Sequence, residues 1–486
     1  MRQIFFICAI FILAGCTSGQ LPEIDVPIPS VIFAESTMPA HAHPTEEIIP
    51  LEPDIPSFNE YHISMEFDPA TKRINGIESV RYTNRGLETL DYLVFRAFLS
   101  DMDVHHVFWD NEELAFDLSG TALNIQLPRG LEPEETMQIR IQFEAYIPLG
   151  SGRVGANQYA AWAGAFLPVE AVLGNGWHTE SYYPVGSPFM LDVANYTVEI
   201  TTPIGYIVAG TGIKNEDYLE DRKITSFSAP MVRNFAFAIS PYFQIDTRIT
   251  QSDREIRLYR YSDDFPIDRI LDIAEETMTI FEETIGAYPF PQLSIVETDI
   301  FRNGESFSNI IFISDNPHRA ISGLSGLRIG VGKQWFSIIV GNNMIDEAWL
   351  SGGLVTLINE GLLERPEELQ ALIQREYIYL HSRQDLINED INRIGSRISD
   401  YQNWEDYLRV QYRKARIMFY ALMQEIGDET FKELLREYFR QFAFSIASAE
   451  DFITLAEEMH GSDLQGFFEY WLNLTRLPEV SIELEY

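Results

Sequence analysis

Histidine and carboxylate pairs are the first candidates for metal chemistry in this sequence. His178 and Glu180 would share one face of a strand, whereas the adjacent pair His105-His106 would face opposite sides. His318 lies near Asp315 in a loop. Each pair offers fewer than the three or four ligands that zinc requires, so we interpret these histidines as solvent-facing or hydrogen-bonded. The sequence also contains no G-x-S-x-G elbow, Walker-type phosphate loop or C-x-x-C pair.

A stronger signal lies between Ile329 and Gly353. This stretch begins Ile329-Gly330-Val331-Gly332-Lys333-Gln334-Trp335-Phe336 and ends Trp349-Leu350-Ser351-Gly352-Gly353. It resembles the M1 family of zinc aminopeptidases, which carries H-E-x-x-H followed by Q-W-F and, at the same distance, a Glu within W-L-N-E-G. When the two patterns are aligned on Q-W-F, the family's three zinc-ligand positions fall at Ile329, Lys333 and Gly352. The position of its general-base Glu falls at Gly330.

The resemblance implies a zinc cofactor that these residues are unsuited to hold. In the family, two His at i and i+4 of one helix and a Glu from the next helix bind the metal. Ile329 and Gly352 offer no side-chain donor, and the Lys333 ammonium repels a cation. The sequence therefore predicts no bound metal. We hypothesise that the charge of Lys333 replaces that of the ion.

The resemblance extends to the residues that handle substrate. The family's G-x-M-E-N element falls at Asn303-Gly304-Glu305-Ser306-Phe307, which places the amine-binding Glu at Ser306. The adjacent Glu305 would point elsewhere on an extended segment. The family's oxyanion-stabilising Tyr falls at Tyr412, the one catalytic position whose residue type is retained. A buried structural Tyr explains that residue equally well.

Further matches extend the resemblance from Tyr61 to Pro478. Ser187-Pro188-Phe189 is similar to a strand entry of the family's first domain, and Tyr288-Pro289-Phe290-Pro291 to an element before its catalytic-domain sheet. The segment from Phe468 to Pro478 resembles the close of the catalytic domain. The family's C-terminal helical domain is expected to be absent.

Hydrophobic periodicity, which locates the elements that must position these residues, indicates an α+β fold. Tyr61, Ile63, Met65 and Phe67 alternate with polar residues, as in a half-buried strand, and Asn75-Gly76 predicts a turn. We expect an N-terminal antiparallel β-sandwich or saddle domain over residues 58–243. A mostly helical domain with a small sheet follows over 244–478, before a tail at 479–486, and the M1 resemblance implies that this domain is thermolysin-like (gluzincin).

Apolar residues recur at helical spacing in the second half. They predict helices from Ile267 to Ile285, through Val331, Trp335 and Ile338, and over 406–425, 429–443 and 448–459. Ser448 and Asp451 are spaced as a capping box for the last helix. Leu293 to Val296 reads as a strand between the first two helices.

The N-terminus is typical of a bacterial lipoprotein. Arg2 precedes a short apolar run, and Leu13-Ala14-Gly15-Cys16 resembles a lipobox, so residues 1–15 are a predicted signal peptide and Cys16 a predicted lipidation site. The proline-rich, acidic residues that follow Cys16 up to 57 predict a tether. The only other cysteine, Cys8, lies in the signal, so no disulfide is expected. We expect an extracytoplasmic protein attached to a cell membrane or envelope through the lipid.

The charge balance excludes one class of partner. The chain has 35 Lys and Arg against 73 Asp and Glu, for a net charge of -38. Nucleic acid rewards basic surfaces, so we expect no nucleic acid among its partners. An acidic surface also simply keeps a protein soluble.

Three functional hypotheses remain open. The first is a membrane-anchored, catalytically inactive M1 peptidase-like protein whose cleft binds a peptide or protein, or which serves as a scaffold. The second is a divergent hydrolase that uses Tyr412 with a carboxylate such as Glu305 or Glu347, although Glu347 reads as a solvated helix residue. The third is a purely structural envelope protein whose cleft is filled by its own side chains.

Overall fold

The computed structural model of the chain describes residues 58–99, 101–300, 304–314, 326–386 and 391–478. The predicted signal peptide, Cys16, the tether and the C-terminal tail lie outside the described residues, as do Asp315 and His318. In the parts of the chain that the model covers, no helix is both long and apolar enough to cross a membrane.

Buried and exposed side chains alternate along the first strands of the N-terminal domain. In β1 (Glu60–Asp68) Tyr61, Ile63, Met65 and Phe67 are buried and their neighbours are exposed or half-buried, which confirms the predicted strand. The turn predicted at Asn75-Gly76 is wrong, because both residues lie inside β2 (Arg73–Thr83). Gly76 is needed there for packing, since a Cβ would lie 2.2 Å from the ring of Phe143.

The strands of this domain form three sheets. The largest has eight strands in the order β14-β15-β12-β1-β2-β8-β4-β5 and is antiparallel except between β1 and β12. Two four-stranded sheets have the orders β13-β16-β10-β9 and β11-β3-β7-β6. The remaining strand bounds are β3 Leu90–Arg96, β4 Met102–Trp109, β5 Glu112–Glu113, β6 Phe116–Ser119, β7 Ala122–Leu131, β8 Thr136–Tyr146, β9 Val154–Ala156, β10 Ala161–Gly164, β11 Val169–Glu170, β12 Ala194–Pro203, β13 Ile207–Gly210, β14 Ile213–Leu219, β15 Arg222–Val232 and β16 Ala236–Ser240.

The second domain is helical around a small mixed sheet. Its five strands follow the order β17-β18-β19-β21-β20, and a short pair joins β22 to β23. The strand bounds are β17 Gln244–Ile249, β18 Glu255–Arg260, β19 Gln292–Thr298, β20 Glu305–Phe307, β21 Ile310–Ser314, β22 Gly341–Asn342 and β23 Ile446–Ala447. The helices are α1 Ile267–Thr284, α2 over residues 326–332, α3 Ala348–Ile358, α4 Pro366–His381, α5 Trp404–Leu408, α6 Ala415–Ile426, α7 Asp428–Phe442, α8 Ala449–His460 and α9 Gln465–Asn473.

These elements confirm the α+β class, with a β domain followed by a helical domain. The α1 helix matches the predicted helical spacing, and α8 begins with the predicted capping box of Ser448 and Asp451. A π-helical segment, Arg409–Lys414, joins α5 to α6 and widens the predicted helix at its centre. Such segments occur frequently at functional sites.

Candidate functional site

The α2 helix ends earlier than its apolar spacing predicts. The Lys333 amide donates to the Ile329 carbonyl at 2.9 Å, so these two positions are one helical turn apart. Helical geometry stops at residue 332, and Ile338 donates instead to the Lys333 carbonyl, five residues earlier. The prediction that Trp335 and Ile338 belong to this helix is wrong, because the side chains that follow Lys333 are held by other elements.

Gln334 ties the end of α2 to the β20–β21 hairpin. Its side-chain amide donates to the Phe307 carbonyl at 3.0 Å, and its side-chain oxygen accepts from the Asn309 amide at 2.9 Å. The side chain is completely buried, so these bonds satisfy groups that water cannot reach. The residue thereby fixes the hairpin that carries Glu305 and Ser306.

Trp335 and Phe336 pack into the core. The Trp335 indole donates to the Gly286 carbonyl at 2.8 Å and lies 5.2 Å from the ring of Tyr288. Phe336 stacks on Tyr438 at 6.0 Å. The three Q-W-F residues therefore hold together the elements that surround the site, two through hydrogen bonds and one through ring stacking.

Gly352 is pressed against the π-helical segment. A Cβ at this position would lie 2.5 Å from the Gln411 carbonyl oxygen and 3.0 Å from the ring of Tyr412. The Thr356 hydroxyl reaches both the Gly352 carbonyl at 2.8 Å and the Tyr412 carbonyl at 3.3 Å, which links the two elements. No side chain longer than that of glycine fits at position 352 unless the helices move apart.

Lys333 belongs to a polar cluster that spans both domains. Its ammonium donates to the Ser187 hydroxyl at 3.3 Å and lies 5.8 Å from the ring centroid of Tyr412. The Ser187 hydroxyl donates to the Glu305 carboxylate at 3.4 Å, and the Arg153 guanidinium forms an ion pair with that carboxylate at 3.0 Å. We call Arg153, Ser187, Glu305, Lys333 and Tyr412 the cleft cluster.

Glu305 and Ser306 face different neighbours, as expected for consecutive strand residues. The Ser306 hydroxyl donates to the Gly330 carbonyl at 2.8 Å, so it packs against α2. The Glu305 carboxylate points instead into the cleft cluster. It therefore lies nearer to Lys333 and Tyr412 than the sequence analysis anticipated.

Burial and charge govern the two ionisable groups beside Lys333. Burial raises the pKa of the Tyr412 hydroxyl, the Glu305 carboxylate raises it further, and the nearby Tyr407 hydroxyl and Arg153 partly offset the rise. Burial opposes the charge of Arg153, but Glu305 and Tyr182 more than compensate and raise its pKa. At neutral pH Tyr412 is therefore protonated and Arg153 is charged.

Comparisons with known proteins agree with this framework. A sequence model described as the Peptidase family M1 domain matches residues 331–471. The M1 zinc metallopeptidase from Deinococcus radiodurans superimposes with a TM-score of 0.67 at 16% identity, over 87% of this chain and 95% of that one. A mutant M1 zinc metallopeptidase from that organism, bound to a Tyr-ser-ala substrate, gives a TM-score of 0.64 over the same shares at 16% identity.

Two curated aminopeptidases are similar over shorter ranges. Aminopeptidase O of Rattus norvegicus is 21% identical over 247 residues, which are 44% of this chain and 30% of the relative. Alanine/arginine aminopeptidase of Saccharomyces cerevisiae is 20% identical over 293 residues, 56% of this chain and 34% of the relative. The chain thus spans about a third of the length of these relatives. It is similar in sequence to M1 aminopeptidases and has the fold of M1 zinc metallopeptidases.

The zinc implied by the M1-like fold does not suit the residues present. Ile329 is aliphatic, Lys333 is cationic, and the space at Gly352 is closed by the Gln411 carbonyl. Among the described residues, no group of three or more His, Cys, Asp or Glu side chains is arranged to hold a metal ion. These side chains therefore do not form a zinc-binding set.

The remaining candidates of the M1-like chain lie apart from this cluster. His178 and Glu180 contact each other at 3.4 Å, and His106 contacts Glu113 at 2.7 Å on the surface. Glu347 is half-buried rather than solvated, and its carboxylate accepts from the Ala449 amide at 3.0 Å at the start of α8. Glu347 therefore has a structural role.

Sequence reasoning missed two members of the cleft cluster in the M1-like chain. Arg153 lies immediately before β9, and Ser187 lies in a loop that precedes β12. Neither has a periodic neighbourhood, and both reach Glu305 only because the two domains pack together. For Arg153 the sequence offers one signal, an arginine flanked by glycines in Gly152-Arg153-Val154-Gly155.

Proposed function

We propose that this M1-like protein performs no zinc-dependent peptide hydrolysis and uses its cleft to bind a peptide or protein partner. The observation that supports this most directly is the close approach at Gly352. A Glu ligand there would have to displace the backbone oxygen of Gln411, 2.5 Å from the first side-chain atom. Losing all three ligands removes the Lewis acid and the activated water together.

The positive charge of Lys333 also supports the proposal. Its ammonium lies in the cleft cluster and places a fixed positive charge at a family ligand position. An ammonium at this position repels a metal cation, and its nitrogen offers no lone pair for coordination. The Lys333 ammonium donates to the Ser187 hydroxyl, which in turn donates to the Glu305 carboxylate, so Lys333 is linked to that negative charge through Ser187.

A cavity beside the cluster favours a ligand of peptide size. It has a volume of about 490 Å³ and opens between the two domains. Its walls combine aromatic and aliphatic surface with one ion pair, and they include Tyr182, Val185, Ile300 and Trp404 together with Arg153 and Glu305. Mostly apolar pockets with a few polar groups are typical of ligand sites. The related Deinococcus protein bound to Tyr-ser-ala makes a peptide the natural first candidate.

We further propose that the protein is held outside the cytoplasm by lipid on Cys16. The support is the lipobox and the proline-rich tether that follows it. Metabolic labelling with a clickable fatty acid tests this directly. Wild type is expected to be labelled and Cys16→Ser unlabelled, and equal labelling of the two would contradict the anchor.

Metal content and turnover test the central proposal. The full-length protein, purified in detergent, is expected to contain well under one zinc per chain and to leave aminoacyl reporter substrates intact. Chelator-sensitive cleavage would overturn the proposal. Chelator-insensitive cleavage abolished by Tyr412→Phe would favour a divergent hydrolase instead, although the raised pKa of Tyr412 makes it a poor base.

A further inference from the structure

The cleft cluster has more hydrogen-bond donors than acceptors. The Lys333 ammonium has three donors, and among the described residues its recorded contacts are one hydrogen bond of 3.3 Å to Ser187 and the face of the Tyr412 ring. The Tyr407 hydroxyl is buried in the same part of the chain and is directed toward Tyr412, whose pKa it lowers. Its ring packs edge-on against Tyr412 at 5.8 Å. The Lys333 ammonium therefore has donors available for a further acceptor.

The cleft cluster also carries a net positive charge. Arg153 and Lys333 contribute two positive charges and Glu305 one negative charge, which leaves one net positive charge. The Glu305 carboxylate is engaged by Arg153 at 3.0 Å and reaches Lys333 only through the Ser187 hydroxyl. No ion pair of Lys333 is recorded within the described ranges. A half-buried cation without a counter-ion favours an anion as ligand.

The adjoining cavity limits what the anion can be attached to. Its volume of about 490 Å³ has its polar end at Arg153 and Glu305 and apolar walls at Val185, Ile300 and Trp404. Ser187 contacts both Glu305 and Lys333, so it connects this polar end to the ammonium. A ligand with a carboxylate beside an apolar side chain fits both features.

We infer that Lys333 binds the terminal carboxylate of a short peptide whose last side chain is apolar. The inference rests on the proposed function and specifies the ligand of the same cleft. The carboxylate oxygens accept hydrogen bonds from the Lys333 ammonium. Inorganic phosphate shares the oxyanion chemistry but does not use the apolar walls.

Calorimetric titration of the full-length protein with two matched peptides tests the inference. The probes are N-acetyl-Ala-Ala-Phe with a free carboxylate and the same peptide with a terminal amide. Acetylation removes the charge of the amino terminus, so an ion pair between that terminus and Glu305 does not contribute to the comparison. We expect the acid to bind about tenfold more tightly than the amide, or better, because charge-assisted hydrogen bonds are lost in the amide.

Variants assign the effect to one side chain. Lys333→Met is expected to abolish the difference between acid and amide, Lys333→Arg to retain most of it, and Lys72→Met to leave it unchanged. Lys72 is a matched control because it carries the same charge and lies in the turn between β1 and β2. The comparison in the wild type stands even if Lys333→Met fails to fold.

Two results of the titrations would overturn the inference. Equal affinity of acid and amide, or no binding of either, would overturn the inference. Competition by inorganic phosphate with the same affinity as the acid would show a site for free oxyanions and overturn the peptide terminus as ligand. The proposed function would fail on a separate measurement, namely the finding of zinc in the protein together with chelator-sensitive cleavage of the reporters.

Discussion

Alanine at position 352 should destabilise the protein, whereas alanine at position 330 should not. Both glycines lie in helices, at positions that correspond to functional residues of the M1 family, so the two substitutions are closely matched. Each change gains about 1 kcal/mol because alanine is the better helix former. The difference between them must therefore come from what the added Cβ meets.

The contacts set the expected size of that difference. At Gly352 the Cβ would lie 2.5 Å from the Gln411 carbonyl oxygen, which is backbone and cannot rotate away. At Gly330 its nearest neighbours are the ends of the Ile311 and Ser306 side chains at 3.1 Å, which can shift by tenths of an ångström. Overpacking costs about 1–3 kcal/mol, with the high end applying to a rigid neighbour. We expect Gly352→Ala to lose about 2 kcal/mol and Gly330→Ala to change by less than about 0.5 kcal/mol.

Equilibrium urea unfolding followed by tryptophan fluorescence measures both values. The comparison uses the shift in midpoint at unchanged slope, since a changed slope would signal an altered unfolded state or an intermediate. If Gly352→Ala proves as stable as Gly330→Ala, α3 does not press on the π-helical segment. The third ligand position would then have room for a Glu, and the Gln411 carbonyl would not obstruct a zinc ligand there.

Three further predictions concern stability. Glu78 is completely buried without a partner among the described residues, and burial raises its pKa, so the folded state keeps a proton that the unfolded state releases above pH 4.5. As the pH rises above 5.5, wild type should therefore lose unfolding free energy relative to Glu78→Gln, by at most about 1.4 kcal/mol per pH unit. Parallel pH profiles of the two proteins in urea would contradict this. Arg233→Met should lose about 3–5 kcal/mol, because the buried guanidinium donates to the backbone carbonyls of residues 191, 338, 339 and 445; a shift in thermal midpoint no larger than that of an exposed-arginine control such as Arg81→Met would refute it. Gln334→Leu should lose about 2–4 kcal/mol by leaving the Phe307 carbonyl and the Asn309 amide unpaired, and faster hydrogen exchange at the Asn309 amide should accompany the loss.

Local patterns predicted the elements well and the site only in part. Strand β1 and helix α1 follow from their apolar periodicity because each buries one face against the core. The same rule extended α2 too far. There the side chains of Gln334 and Trp335 bond to the β20–β21 hairpin and to Gly286, and these contacts between distant segments replace the next helical turn.

The site depends on contacts that sequence spacing does not encode. Ile329 and Lys333 could be placed relative to each other because one helical turn separates them. Arg153 joins Glu305 across 152 positions of the chain, and the two meet only through the packing of one domain on the other. The obstruction at Gly352 also depends on the π-helical segment, whose wider turn has no simple periodic signature.

The bonding of the Q-W-F residues has an evolutionary consequence. Gln334 holds a hairpin and Trp335 caps a carbonyl of the core, so selection for folding alone is sufficient to preserve both side chains. A lineage can therefore lose its metal and its reaction while these letters remain under full constraint. The presence of Q-W-F in a sequence therefore indicates that the fold is retained. It carries no information about whether the protein still catalyses a reaction.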